Sequence, residues 1–295
     1  QLEDVRDPGA RVALLTRIGE INEERLRDID RAFGAYARAV EADPAERGTR
    51  EVLARLATIR DAQRERAAVL ERAIASVNEP YLSGELLLEV ARLWDEQEAD
   101  PGQAERAYQR LIAVDPENPD NVVPASQALE RIHLGAENFP ALAEDLRRQI
   151  RFEQDPTQRA GLLLRLAELL ETTLEDRPGA IEAHRERLEN APDDVSALRA
   201  LERLYETESQ WQNLVGVLQN RDALTEDPDE QRTIARRVGE VYAIRLGDLD
   251  NAIVAYNDVV GRFGADAESF EALVKLYGET EKWEDLLEIR EQQLE

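Results

Sequence analysis

The stretch D-I-D-R-A-F-G-A-Y, Asp28–Tyr36, returns three times: as D-P-G-Q-A-E-R-A-Y from Asp100, D-R-P-G-A-I-E-A-H from Asp176 and D-L-D-N-A-I-V-A-Y from Asp248. Successive copies start 72, 76 and 72 residues apart. Self-similarity at a fixed period marks an array of supersecondary units, each able to bury its apolar face only against its neighbours. An acidic residue followed by proline opens every copy in the same register, at Asp7-Pro8, Glu79-Pro80, Asp155-Pro156 and Asp227-Pro228. Such a pair starts a helix, because proline in the first turn gives up no intrahelical hydrogen bond. The resulting frame is one continuous array over 1–295 with repeats 7–78, 79–154, 155–226 and 227–295. Residues 1–6 read as the tail of a preceding repeat.

The third repeat shows the internal plan. Apolar residues recur at helical spacings over Arg159–Leu174, Pro178–Asn190, Val195–Thr207 and Trp211–Leu224, as in Leu163, Leu166 and Leu170. The separators are short, which forces antiparallel neighbours. Each repeat is then two helical hairpins, giving about 16 helices. The repeated Asp28, Asp100, Asp176 and Asp248 sit where a carboxylate accepts a backbone N–H and meets the positive end of the helix dipole. This accounts for their identity without a metal. Ala32, Ala104, Ala180 and Ala252 follow Gly19, Ala91, Ala167 and Gly239 by 13 residues, a pairing that lets two helix backbones approach closely. Pro44, Pro116, Pro192 and Gly264 then stop the second helix.

These residues resemble the tetratricopeptide repeat, which places a small residue in its first helix, Ala and then an aromatic in its second, a second small residue, and Pro at the end. The first repeat matches with Gly19, Ala32, Tyr36, Ala39 and Pro44. The second matches with Ala91, Ala104, Tyr108 and Pro116 but has Leu111 at the second small place. The third has His184 and Arg187 at the aromatic and small places, and the fourth has Tyr256, Val259 and Gly264. The second hairpins are more degenerate, with Leu142, Leu214 and Leu286 where the family has Ala. One extra residue lies between the helices of each first hairpin. The resemblance implies an all-α fold, an α-solenoid of antiparallel helical hairpins coiled as a right-handed superhelix.

Composition sets further bounds. Apolar residues make up 42% of the chain, sufficient for a packed core. The formal net charge of −26 repels phosphate backbones, so nucleic acid is disfavoured and a protein or peptide partner, basic in character, is favoured. Cysteine is absent, which excludes disulfides and thiolate metal sites. No apolar stretch approaches the ~18 residues of a membrane span, so direct membrane insertion is not expected. The 35 Arg against 2 Lys suggest a GC-rich coding sequence and a bacterial source.

No Ser/His/Asp set, phosphate loop or EF-hand spacing occurs. His184 aligns with Tyr36, Tyr108 and Tyr256, and His133 with Tyr205 and Tyr277, so both read as packing surrogates. Phe139, Trp211 and Trp283 share a position expected to wedge between hairpins, and Trp94 reads as core. No catalytic residue, cofactor or metal is expected. Four extra residues in the second repeat fall within Glu117–Pro124 and are expected to form a surface loop.

In tetratricopeptide proteins the first helix of each hairpin usually lines a concave groove. The resemblance then implies a mostly acidic partner-binding ladder of Glu20, Arg92, Glu168 and Glu240, with Glu23, Asp95 and Glu171 three residues on. A solvated helix face is the plainer account of the same residues. The expected function is a non-enzymatic protein-interaction scaffold that binds a partner through its concave or edge surface; the alternative is a structural component of a longer repeat array or of a complex that self-assembles through open ends. Val12, Leu15 and Ile18 at one end, and Trp283, Leu286, Leu287 and Ile289 at the other, are expected to be exposed. The match of Gln293-Leu294-Glu295 to Gln1-Leu2-Glu3 fits a longer array.

Overall fold

A computed structural model describes residues 7–264 and 266–292. The expectations for 1–6 and 293–295 lie outside the described residues. Within them the chain is all-α, and it divides into two compact halves, Gln1–Glu153 and Gln154–Glu295. The N-terminal half contains α1 (Pro8–Glu20), α2 (Ile29–Ala42), α3 (Arg47–Arg60), α4 (Gln63–Ile74), α5 (Pro80–Arg92), α6 (Pro101–Val114), α7 (Pro119–Gly135) and α8 (Phe139–Phe152). The C-terminal half contains α9 (Pro156–Thr172), α10 (Arg177–Asn190), α11 (Val195–Thr207), α12 (Trp211–Leu224), α13 (Pro228–Glu240), α14 (Leu249–Phe263), α15 (Ala267–Glu279) and α16 (Trp283–Gln292). Consecutive helices pair as antiparallel hairpins, and each hairpin packs on the next within its half.

The repeated aspartate joins the two helices of each first hairpin. Its carboxylate caps the second helix, accepting from the N–H of Arg31, Gln103, Gly179 and Asn251 at 3.0, 3.1, 3.0 and 3.1 Å. Its own N–H closes the end of the first helix, donating to the carbonyls of Asn22, Trp94, Leu170 and Tyr242 at 2.8, 2.9, 2.7 and 2.9 Å. That bond spans six residues, two more than an α-helical bond. The preceding turns are correspondingly wide: Ile21–Arg25, Leu93–Gln97 and Val241–Leu246 are π-helical, and Leu174 donates to Leu169 in the same five-residue manner. The extra residue of the first hairpins is thus absorbed in a widened helical turn.

Each turn ends in a left-handed residue. In the first hairpins these are Arg27, Ala99, Glu175 and Gly247, and in the second hairpins Asp61, Glu137, Ser209 and Glu281. Only Gly247 adopts this conformation without a Cβ penalty.

The paired small residues do what their spacing implies. Ala32, Ala104, Ala180 and Ala252 are fully buried. Tyr36 lies so close to Gly19 that a Cβ there would stand 2.5 Å from the ring, and the Gly239–Tyr256 contact has the same form. Val12 and Leu15 are buried against their own hairpin, so the expected exposed N-terminal stripe is absent. Of the C-terminal stripe Trp283 and Leu287 are exposed, whereas Ile289 is buried and Leu286 packs against the core, because both face α15 and the rest of their own cluster. Phe139 and Trp211 are only half-buried, so they do not form closed wedges; the Arg245 guanidinium lies 4.9 Å from the Trp211 ring.

The four extra residues of the second repeat do not form a loop. They lengthen α7 to 17 residues, against 14 in α3 and 13 in α11 and α15. Four residues are close to one helical turn, so the added turn leaves the buried face in register. Asn118 caps the longer helix through the Asp120 N–H at 3.0 Å, and Pro124 lies inside it.

Removing the Cβ from a left-handed position should stabilise the protein. Ala99→Gly is expected to gain about 0.5 kcal/mol, the strain relieved less the added unfolded-state entropy. Gly247→Ala should lose about 1 kcal/mol. Urea unfolding of the two variants checks both signs.

Candidate functional site

The seven ladder residues lie near the ends of first helices, and side chains of the neighbouring hairpin neutralise three of them. Arg55 on α3 donates to Glu23 at 2.8 Å. Arg131 on α7 donates to Asp95 at 2.5 Å, and Arg203 on α11 donates to Glu171 at 2.9 Å. The rung repeats because acid and base recur together; the fourth copy has Ala243 and Lys275, and Lys275 turns to Glu279 at 3.8 Å. The Arg203 hydrogen bond holds the Glu171 carboxyl below the usual carboxylate range. Asp95 also accepts from the Tyr108 hydroxyl at 3.3 Å, and burial, then the Asp95 charge, pushes that hydroxyl up to about 12. These acids are structural rungs between hairpins.

The other four are not brought together. Glu20 pairs with Arg17 at 2.7 Å, while Arg92, Glu168 and Glu240 are exposed on separate helices. Around Glu20, however, an open groove of about 700 Å³ runs between α1 and α3. Val12, Thr16 and Val52 line it with Tyr36, and Asp43 and Glu46 join Glu20 on its walls against Arg17, the single cation among the described lining residues. Glu46 also caps α3 through the Thr49 N–H at 2.5 Å, which lowers its carboxyl pKa.

Both histidines are buried, as expected of packing surrogates, but their polar partners were not legible. His133 Nδ1 meets the fully buried Asp145 at 2.6 Å, and Nε2 faces Glu105 at 3.3 Å. Burial pushes the Asp145 carboxyl up, opposed by His133 and by Arg148, which donates at 2.7 Å. His184 Nδ1 lies 3.1 Å from Arg187 Nη1. Arginine can only donate, so this nitrogen is the acceptor and the ring is neutral. Burial, then the Arg187 charge, lowers the His184 pKa to about 4. Among the described residues no group of three or more His, Asp or Glu could hold a metal ion, and no helix is long and apolar enough to cross a membrane.

The sequence reading missed a second concavity, a cleft of about 270 Å³ lined from α12, α13, α14 and the wide turn that follows α13. Ala235, Val238, Tyr242 and Val254 supply apolar surface, and Asp222 and Asp258 supply charge.

The hairpin geometry, with a small residue beneath an aromatic ring and Ala at the crossing, is that of a tetratricopeptide-like fold. No protein-family model matches the chain, and no curated protein matches it in sequence. Among solved structures it is similar to Naa15/Naa10 bound to HypK-THB, with 13% identity and a TM-score of 0.42, covering 91% of this chain and 39% of that one. The chain therefore spans about two fifths of that neighbour's length. A tetratricopeptide repeat protein from Parabacteroides merdae is 12% identical with a TM-score of 0.35, over 90% of this chain and 98% of that one. The TPR2AB-domain:pHSP90 complex of yeast Sti1 is 14% identical with a TM-score of 0.30, over 96% and 97%.

The His184 environment predicts a pH dependence. Folding favours the neutral ring, so below pH 6.5 the unfolded chain takes up the proton first. Stability should then fall as pH drops from about 6.5 towards 4, by up to about 1.4 kcal/mol per pH unit from this group. His184→Tyr, which installs the residue of the other repeats, should remove that slope. Parallel urea titrations at pH 7 and pH 5 measure the difference.

Proposed function

We propose that the chain is a non-enzymatic protein-interaction scaffold that holds a basic segment of a partner protein against the first helices of its hairpins. The observation that carries this reading is the α1–α3 groove, an open concavity with an apolar floor and, among the described residues, three carboxylates facing one guanidinium. A lysine- or arginine-bearing peptide matches that charge pattern, and an extended peptide suits a groove between parallel helix faces. Glu20 is the ladder residue that belongs to the site. Arg92, Glu168 and Glu240 are proposed as secondary contacts only, since each stands alone on its helix. Glu23, Asp95 and Glu171 serve the reading indirectly, by fixing the spacing of neighbouring first helices.

Self-association is the second reading. It is favoured by Trp283 and Leu287, 62% and 64% exposed on one helix. Sedimentation of the Trp283→Ser, Leu287→Ser variant separates the two: a loss of oligomer supports assembly through α16, and an unchanged monomer removes it.

The groove makes a direct prediction. In NMR titrations, an arginine-containing peptide should shift amides of α1 and α3 in a salt-dependent manner, and a glutamate-containing control should not. Glu20→Gln should weaken binding by up to about fivefold, the range of one exposed charge pair. Thr16→Trp should block it by filling the groove. Equal binding by the Gln and Trp variants would overturn the assignment.

A further inference from the structure

The cleft between α12, α13 and α14 exists because the repeat is broken there. The place taken by Ala235 holds Leu15, Leu87 and Leu163 in the other repeats, each 1% exposed. The place taken by Asp222 holds Ile74 and Ile150, which are also buried. Two large-to-small or apolar-to-acidic departures therefore fall on one spot, on different helices, and open a space of about 270 Å³. An apolar cavity of about 150 Å³ already holds a benzene-sized guest. A third departure lies at the mouth. Val254 is 65% exposed, where the other repeats carry Gly34, Arg106 and Glu182.

The charges of the rim are incompletely matched. Arg262 donates to Asp222 at 2.6 and 3.2 Å and to Asp258 at 3.1 Å, so two carboxylates share one guanidinium. A second cation beside the cleft would complete the set. The walls are aliphatic and aromatic, from Val238, Val254 and the Tyr242 ring.

We propose that this cleft is a second docking site, which receives an aliphatic side chain of a partner protein followed by an adjacent lysine or arginine. The proposal rests on the scaffold reading above but uses a different surface, where the second helices α12 and α14 flank α13. The partner's side chain takes the place of the missing leucine, and its basic neighbour pairs with Asp222 and Asp258.

The test uses the full chain and a panel of acetylated pentapeptides, Ala-Ala-X-Z-Ala, with X as Leu, Met or Gly and Z as Arg or Glu. Leu-Arg and Met-Arg peptides should shift the amides of Ala235, Val238 and Val254. Gly at X or Glu at Z should weaken binding at least about tenfold. Ala235→Leu restores the residue of the other repeats; it should abolish this binding while raising the melting temperature, so lost binding is not lost folding. Asp222→Asn should erase the preference for Arg over Glu. Peptide shifts confined to α1 and α3, unchanged in Ala235→Leu, would overturn this site and leave the scaffold reading intact. No shift with any peptide, here or in the α1–α3 groove, would overturn both. Shifts produced by isoamyl alcohol but by none of the peptides would make the cleft a small-molecule site and overturn the peptide occupant.

Discussion

The bond from the repeated aspartate's backbone to a carbonyl six residues earlier is the constraint on which the hairpins depend. Through Asp28, Asp100, Asp176 and Asp248 one residue both ends a helix and starts the next. It satisfies a carbonyl left open by the widened turn and an N–H left open by the new helix, nine positions apart. Those orphan groups would otherwise face water or remain unpaired. The antiparallel return is thereby fixed in length, and the fixed length puts Gly19 under Tyr36 and Gly239 under Tyr256. Close backbone approach follows from the turn, and the core follows from the approach.

The charge of −26 reads differently once the pairs are seen. Much of the acid is tied to arginine on an adjacent hairpin, as in Glu23–Arg55, Asp95–Arg131 and Glu171–Arg203. Exposed pairs contribute little to stability. Their repetition at one register instead penalises stacking with the wrong offset. Two partly buried networks sharpen the point. Arg50 and Arg66 converge on Glu89 where α3, α4 and α5 meet, whereas Arg221 and Arg237 converge on Glu202 where α11, α12 and α13 meet. The acid stands on the following hairpin in the first case and on the preceding one in the second. A hairpin moved from one junction to the other would bury unmatched charge, which costs several kcal/mol.

The fold was largely legible because its determinants are local. Helical spacing, acidic-Pro starts and short separators fix hairpins without any long-range information, and for α11 and α12 the expected ends match the observed ones. Less was legible at the candidate site. Whether Glu23 lines a groove or meets Arg55 depends on a contact between hairpins, although the acid and the arginine recur together in three repeats. The lengthened α7 was missed because insertions in repeats usually fall in loops, while a four-residue addition keeps a helical face intact. Nothing local in the sequence separates Asp145 from the many surface acids; its buried partner His133 explains why it has no exposure.

In a repeat protein, substitution columns separate structural residues from the rest. A residue shared by all copies serves the packing that all copies share, which is why the capping aspartates and the crossing alanines need no ligand. Tyr36, Tyr108 and His184 vary within one job, filling the space above a small residue. Ala235 and Asp222 are different in kind, because they vary in a way that damages the shared packing. A buried leucine lost to alanine normally costs 2–5 kcal/mol, and a carboxylate in place of isoleucine gives up apolar burial and needs Arg262 as a partner for its charge. Neither departure helps the hairpin that carries it. Both act on the same cleft, so a guest that fills the space and neutralises the rim repairs both at once.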